Sequence, residues 1–207
     1  MASVNPDWRD GFLFVGNHLS LDFVNTRPVM NGQPVELLPD WKALLRWFRA
    51  SDLVSEREME TFVRQWEKRV EAEACLDGLR TFREGVRATV LRLEAGEELA
   101  SKTFTELNRL LRAFPMFLEL RRSAGRLERR KLFELRRPDD LMAPIVDAAA
   151  DLLVVLNPAR LRKCESCILH FYDTSKNGTR RWCSMQICGN RSKVASYAER
   201  RRRRQRD

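Results

Sequence analysis

The chain has 207 residues, 43% of them apolar and 32% charged, with five cysteines and a net charge of +9. That balance excludes a disordered chain, suits one medium domain with a small appended module, and offers no apolar run long enough for a membrane-spanning helix. The charge is uneven: from position 160 on there are fourteen Lys and Arg against four acids, a balance of +10, while 24 basic and 25 acidic residues nearly cancel over positions 1–159.

In chain order, residues 12–15 (FLFV) predict a short buried strand, and 19–24 a compact apolar segment of undetermined type. Asn31, Gly32, Gln33 and Pro34 mark a turn. Trp41, Leu44, Leu45 and Phe48 fall at helical spacing behind Asp40 as N-cap, predicting a helix over 41–50. Ser55 and Glu58 form a capping box that opens a second helix through Phe62, Val63 and Trp66. A third helix is expected over 79–93. Just before it, Cys75 sits among Ala72, Ala74 and Leu76 as a small buried apolar residue. A fourth is expected over 103–114, with Thr103 and Glu106 in the same box relation. Residues 117–120 and 131–135 alternate with period two around Ser123, Ala124 and Gly125, the signature of a hairpin. From Asp140 to Leu156 the pattern returns to helix, with Ile145, Ala149, Leu152, Leu153 and Leu156 on one face and Asn157-Pro158 ending it. This gives a mostly helical α+β domain over 1–158 and a module over 159–207, docked through that last helix.

The module holds Cys164, Cys167, Cys183 and Cys188 as C-x2-C-x15-C-x4-C, a spacing that lets four thiolates meet tetrahedrally around one zinc ion. Two disulfides are the alternative for a secreted scaffold, but the opening residues lack a basic and then apolar leader, so a cytoplasmic protein is expected. A redox C-x-x-C would need a βαβ setting, which is absent around 162–167. His170 could replace a cysteine in principle, yet four thiols already complete the shell. Residues 171–173 and 180–182 flank Asn177-Gly178 and predict a hairpin. Ser184 can cap a helix that continues through Ser196, Tyr197, Ala198 and Glu199 into the arginines. The outcome is a treble-clef-like zinc fold with Phe171, Trp182 and Val194 as its miniature core, stabilised by the metal because it buries too little to fold alone.

The stretch DTSKNGTRRWCSMQICGNRSKV at 173–194 resembles the CGNR zinc finger, named for Cys188, Gly189, Asn190 and Arg191. Upstream, FVGNHLSLDFVNT at 14–26 is similar to the opening of the ABATE domain, which accompanies that finger in bacterial proteins described as stress-induced transcription regulators. The resemblance implies a four-cysteine zinc site, a DNA-binding finger and a sensory role for the larger domain.

The resulting expectation is a DNA-binding transcription regulator and not an enzyme. Arg191 and Lys193 would touch phosphates or a guanine edge, and Lys176, Arg180 and Arg181 would grip the backbone. Arg200, Arg201, Arg202, Arg203 and Arg204 would add sequence-independent, salt-sensitive affinity. Gly189 fits a close approach or an unusual backbone angle beside the metal, and Asn190 would bond a sulfur or the backbone. RNA is the alternative partner, with Tyr172 and Trp182 stacking on unpaired bases. His18, Asp22, Asn25 and Thr26, polar residues in an apolar stretch, are candidates to line a ligand pocket, and an enzyme with its pocket near His18, Asp22 and Asn25 is the further alternative. Their other role is to satisfy nearby backbone amides.

Overall fold

The computed structural model describes residues 7–30, 32–123, 125–154 and 157–204. Asn31, Ala124 and Leu156 of the expected turn, hairpin tip and helix lie outside the described residues, as do the side chains of Arg200, Arg203 and Arg204.

A small antiparallel ribbon, β1 (Trp8–Arg9) with β2 (Phe12–Leu13), leads into α1 (Leu19–Val24), the segment whose type the sequence left open. The expected strand over 12–15 stops at Leu13. Beyond it, Gly16 approaches α1 so closely that a Cβ there would lie 2.8 Å from Leu21 and 2.9 Å from the Asp22 amide. A second ribbon, β3 (Val29–Met30) with β4 (Gln33–Pro34), precedes α2 (Trp41–Ala50), where the Asp40 carboxylate accepts from the Ala43 amide at 2.7 Å. The Ser55 capping box opens α3 (Glu56–Trp66). Next comes α4 (Val70–Glu94), longer than expected because Ala72, Cys75, Leu76 and Leu79 extend its buried stripe backwards. α5 (Ser101–Ala113) begins two residues before Thr103 and has no side-chain cap, so the expected box is not formed; Glu106 pairs with Arg109 instead, at 2.7 Å.

β5 (Phe117–Ser123) and β6 (Arg126–Leu132) make the expected hairpin. One face carries the cross-strand pairs Glu119 with Arg130 and Arg121 with Glu128. The other presents Leu118, Leu120 and Leu127 to solvent. Asp140 lies in a 3-10 turn, accepting from the Arg136 and Arg137 amides at 2.8 Å each, and α6 (Met142–Val154) follows. Around Trp47, whose ring lies 5.1 Å from Phe23 and 5.4 Å from Phe48, α2 packs with α4 and α6 through Leu44, Leu45, Leu79 and Ile145.

In the C-terminal part, β7 (Leu161–Lys163) pairs with β8 (His170–Tyr172) across the Cys164–Cys167 knuckle. The hairpin expected across Asn177-Gly178 does not form. Its second strand would need the Arg180 amide, but the buried Asp173 carboxylate takes that amide at 2.7 Å and the Ser175 amide at 2.9 Å, closing a loop instead. Ser184 caps a π-helical turn, Met185–Gly189, which runs into α7 (Asn190–Arg204). The miniature core is also rearranged. Phe171, Leu169 and the cysteines pack with Leu13, Val15, Trp182 and Ile187, while Val194 is exposed on α7.

Candidate metal centre and nucleic-acid interface

The knuckle delivers Cys164 and Cys167 from one side; from the other come Cys183, just ahead of the Ser184 cap, and Cys188 in the π-helical turn, with all four sulfurs within 4.8 Å of one another. Cys167 and Cys183 are 3.5 Å apart and Cys183 and Cys188 3.8 Å. A tetrahedron with zinc–sulfur bonds of ~2.3 Å has sulfurs about 3.8 Å apart, so the set fits one zinc ion with every position filled by protein. Crowding of the sulfurs favours one thiolate among them: contact with Cys167 and Cys183 holds the Cys164 thiol below its ordinary range, and contact with Cys164 pushes Cys167 and Cys183 up. A divalent cation at their centre offsets the mutual repulsion of the thiolates and favours ionising all four together. The four cysteines form a zinc site, and Cys75 stands apart from it, buried with its Sγ 3.1 Å from the Pro138 carbonyl.

Backbone geometry at the centre is constrained. Ile168, directly after the knuckle, has φ +58, a left-handed conformation that a β-branched residue adopts only under compulsion. Hydrogen bonds on both sides impose it: the Ile168 amide donates to the Cys164 carbonyl at 3.0 Å and the Cys164 amide to the Leu169 carbonyl at 2.8 Å. Gly189 has an ordinary negative φ, and a Cβ there would meet only the side chain of Met185, which is exposed and free to swing aside, so neither the unusual backbone angle nor the close approach expected at this glycine is seen. Asn190 bonds the backbone, donating to the Gln186 carbonyl at 3.2 Å.

The basic residues divide into two groups. Arg180 donates to the Cys183 carbonyl and covers the Phe171 ring at 5.1 Å, so it braces the metal centre. Arg181 is paired with Glu165 through two nitrogens and lies over Trp182. Arg160 and Arg162, which motif reading passed over, bond the carbonyls of Asp173, Ser175 and Gly178 and hold the 173–178 loop closed. Lys176, Arg191, Lys193, Arg201 and Arg202 are exposed. The last four project from α7, fifteen residues long and starting two residues after the fourth cysteine.

The polar residues of the N-terminal motif meet the module along a seam. Asn25 Nδ2 donates to the His170 carbonyl at 2.8 Å and Asn25 Oδ1 accepts from the His170 amide at 3.0 Å. Two residues on, the Tyr172 amide donates to the Gly16 carbonyl at 2.8 Å and the Tyr172 carbonyl accepts from Asn17 Nδ2 at 2.9 Å. The outer edge of β8 is thus closed by the N-terminal domain, as a further strand would close it. His170 is no zinc ligand; its Nδ1 lies 2.8 Å from Glu94 at the end of α4. Tyr172 joins the seam as well, its hydroxyl accepting from the Asn157 amide at 3.3 Å.

His18 caps α1 by accepting from the Ser20 amide at 3.3 Å, and burial lowers its pKa. Asp22 accepts from the Gly16 amide at 2.7 Å, and burial pushes it up to about 7 against the pull of the Gly16 and Val15 amides. Thr26 accepts from Arg83 at 2.9 Å. Arg83, 1% exposed, also forms a two-point ion pair with Glu36. Sequence patterning gives no sign of that buried arginine beyond its place on the inner stripe of α4. The four motif residues are therefore each committed to protein partners.

A family model described as "Putative stress-induced transcription regulator", the ABATE model, matches residues 17–155, and the CGNR zinc finger model matches residues 160–201. No curated protein matches the chain. Among the described residues no helix is long and apolar enough to cross a membrane.

Proposed function

The chain belongs to the ABATE family and carries a CGNR zinc finger, and from that premise we propose that it is a DNA-binding transcription regulator whose N-terminal domain, ending near residue 158, senses an effector. One observation carries the reading: α7 springs from the zinc centre with exposed basic residues along it. A helix whose origin is fixed by a metal can be held in the major groove, with Arg191 and Lys193 near base edges or phosphates. Arg201, Arg202 and their arginine neighbours then add affinity that falls with salt. Lys176, at the tip of the Asp173 loop, is free to meet the flanking phosphates. Arg180 serves instead by bracing the surface that carries these contacts, and Arg181, exposed over Trp182 and paired with Glu165, adds positive charge beside them. All four thiols are placed to serve as ligands and would leave no open metal position, which supports a structural part for the zinc. Tyr172 is spent on the seam, which favours duplex DNA over unpaired RNA as partner.

Selection from a random duplex pool with zinc-loaded protein, with single-stranded RNA as competitor, tests the reading. Enrichment of a common motif that RNA does not displace is the expected result. Retention of no duplex at moderate salt, or displacement by RNA, would overturn it.

A further inference from the structure

The N-terminal domain contains a cavity of about 710 Å³ between α4, α5 and α6, within the range of roughly 300–1,000 Å³ typical of small-molecule sites. Its floor is apolar, made by the buried Val86, Leu110, Ala149 and Leu152. On one wall α4 carries Gly85, a glycine in the middle of a helix, where it is unfavourable relative to alanine. A Cβ at Gly85 would meet nothing within 4 Å, as at Gly78 on the same helix, so close packing explains neither; Gly85 lies on the exposed wall of the cavity, where a large side chain could reach across its mouth. The rim has two charges. Glu106 is already paired with Arg109, whereas Lys102 has no ion-pair partner among the described residues.

We infer that this cavity is the effector site of the N-terminal domain, and that its ligand is a compact apolar molecule ending in a carboxylate, with the apolar body on the floor and the carboxylate against Lys102. The inference rests on the sensory reading proposed above. An apolar floor rewards burial of hydrocarbon, and the uncompensated ammonium at the mouth selects an anion over a neutral or cationic end. The ligand would be felt by the finger. Leu152 and Leu153 also line a smaller cavity of about 90 Å³ that reaches Pro158 and Leu161 at the start of β7, and α4 ends on Glu94 against His170.

Calorimetric titration of the full zinc-loaded chain in the absence of DNA tests this, with decanoate and 1-naphthoate as aliphatic and aromatic probes and decylamine as the opposite charge. At least one carboxylate should bind, and which one tells the two chemical sources apart. Decylamine should not bind. Gly85→Leu should melt no lower than the parent and weaken the carboxylate by at least about tenfold, and Lys102→Gln by about two- to fivefold. Methyl shifts of Val86, Leu110 and Leu152 should move on titration, a measurement independent of whether the Gly85 variant folds. No binding of either carboxylate, equal binding of decylamine, or shifts confined to other methyls would overturn the inference. So would a dimer in sedimentation that Gly85→Leu dissolves, which would show that a second copy covers the cavity. Because no DNA is present, failure here leaves the DNA-binding reading intact, and failure of the duplex selection leaves this titration interpretable.

Discussion

The N-terminal domain and the finger solve the same problem by different means. The domain closes around Trp47, Phe48, Leu44 and Leu79 on long helices, with an apolar core that holds no metal-ligand cluster among the described residues. The finger contributes Leu169, Phe171 and four cysteines, and completes its interior with Leu13 and Val15 from the other end of the chain. It is held by a metal on one side and by a borrowed wall on the other. The difference teaches that the module matched at 160–201 is not a self-sufficient bead: its outer strand edge and part of its core belong to residues the finger model does not include.

Metal removal gives the sharpest break. Cys183→Ser, or chelation of the parent, should reduce bound zinc from one per chain to near zero and cost on the order of 10 kcal/mol of finger stability. Elemental analysis beside hydrogen exchange at 161–172 reads both effects. If the finger were independent, the N-terminal domain would melt unchanged; the shared core leads us to expect its transition to shift downward as well. Retention of one zinc per chain in Cys183→Ser would remove the metal from the comparison altogether.

Opening the wall without touching the metal should be milder. Asn25→Ala leaves the His170 amide and carbonyl without partners at a buried seam, a loss of about 2–4 kcal/mol, with zinc content unchanged. The His170 amide should exchange faster by a matching factor. An unaltered exchange rate would show that the seam adds nothing to the finger.

The seam should also carry a pH signature. Asp22 is raised from 3.8 to about 7 by burial. Its folded state therefore holds a proton that the unfolded state has lost, and the parent loses stability as pH climbs from about 4 through 7. The loss from pH 5 to 7 should be about 2 kcal/mol. Asp22→Asn, which is always neutral, should flatten that part of the curve; denaturant titrations at both pH values compare the two proteins, and parallel curves would exclude Asp22 as the cause.

The smallest effect is expected at the knuckle. Ile168→Gly removes the left-handed strain at φ +58 for a side chain that is 40% exposed, and should stabilise the zinc-loaded finger by up to about 1 kcal/mol. A lower melting temperature would mean that the Ile168 side chain contributes more by packing than its conformation costs.

Local signals made much of this legible in the sequence. Asp40, the Ser55 capping box and the period-two pairs of the long hairpin act on their own neighbours, and all three form. The four cysteines were legible because ligand spacing is itself a local constraint. Where a distant partner decides, the sequence misled. Asn177-Gly178 carries a strong hairpin signal, but Asp173 captures the Arg180 amide and Arg162 takes the Gly178 carbonyl. Val194 was expected in the finger core because Val15, more than a hundred residues away in sequence, could not be known to fill it. Arg180 turns inward to the Cys183 carbonyl, whereas Arg181 stays at the surface in an ion pair with the exposed Glu165. The Lys102 cavity has no motif at all, since it arises from the spacing of three helices.

The closed edge of β8 has one more consequence. With His170 and Tyr172 both bonded to the N-terminal domain through amide and carbonyl, the direction of α7 is a property of the whole molecule and not of a tether. A finger on a loose linker surrenders orientational freedom each time it docks, whereas this one has surrendered it on folding, so less of its contact energy is consumed by alignment. The same rigidity limits it. On the proposed DNA-binding reading, a duplex that α7 could enter only by swinging away from α1 would be out of reach, and the bulk of the N-terminal domain would set which flanking DNA could lie alongside.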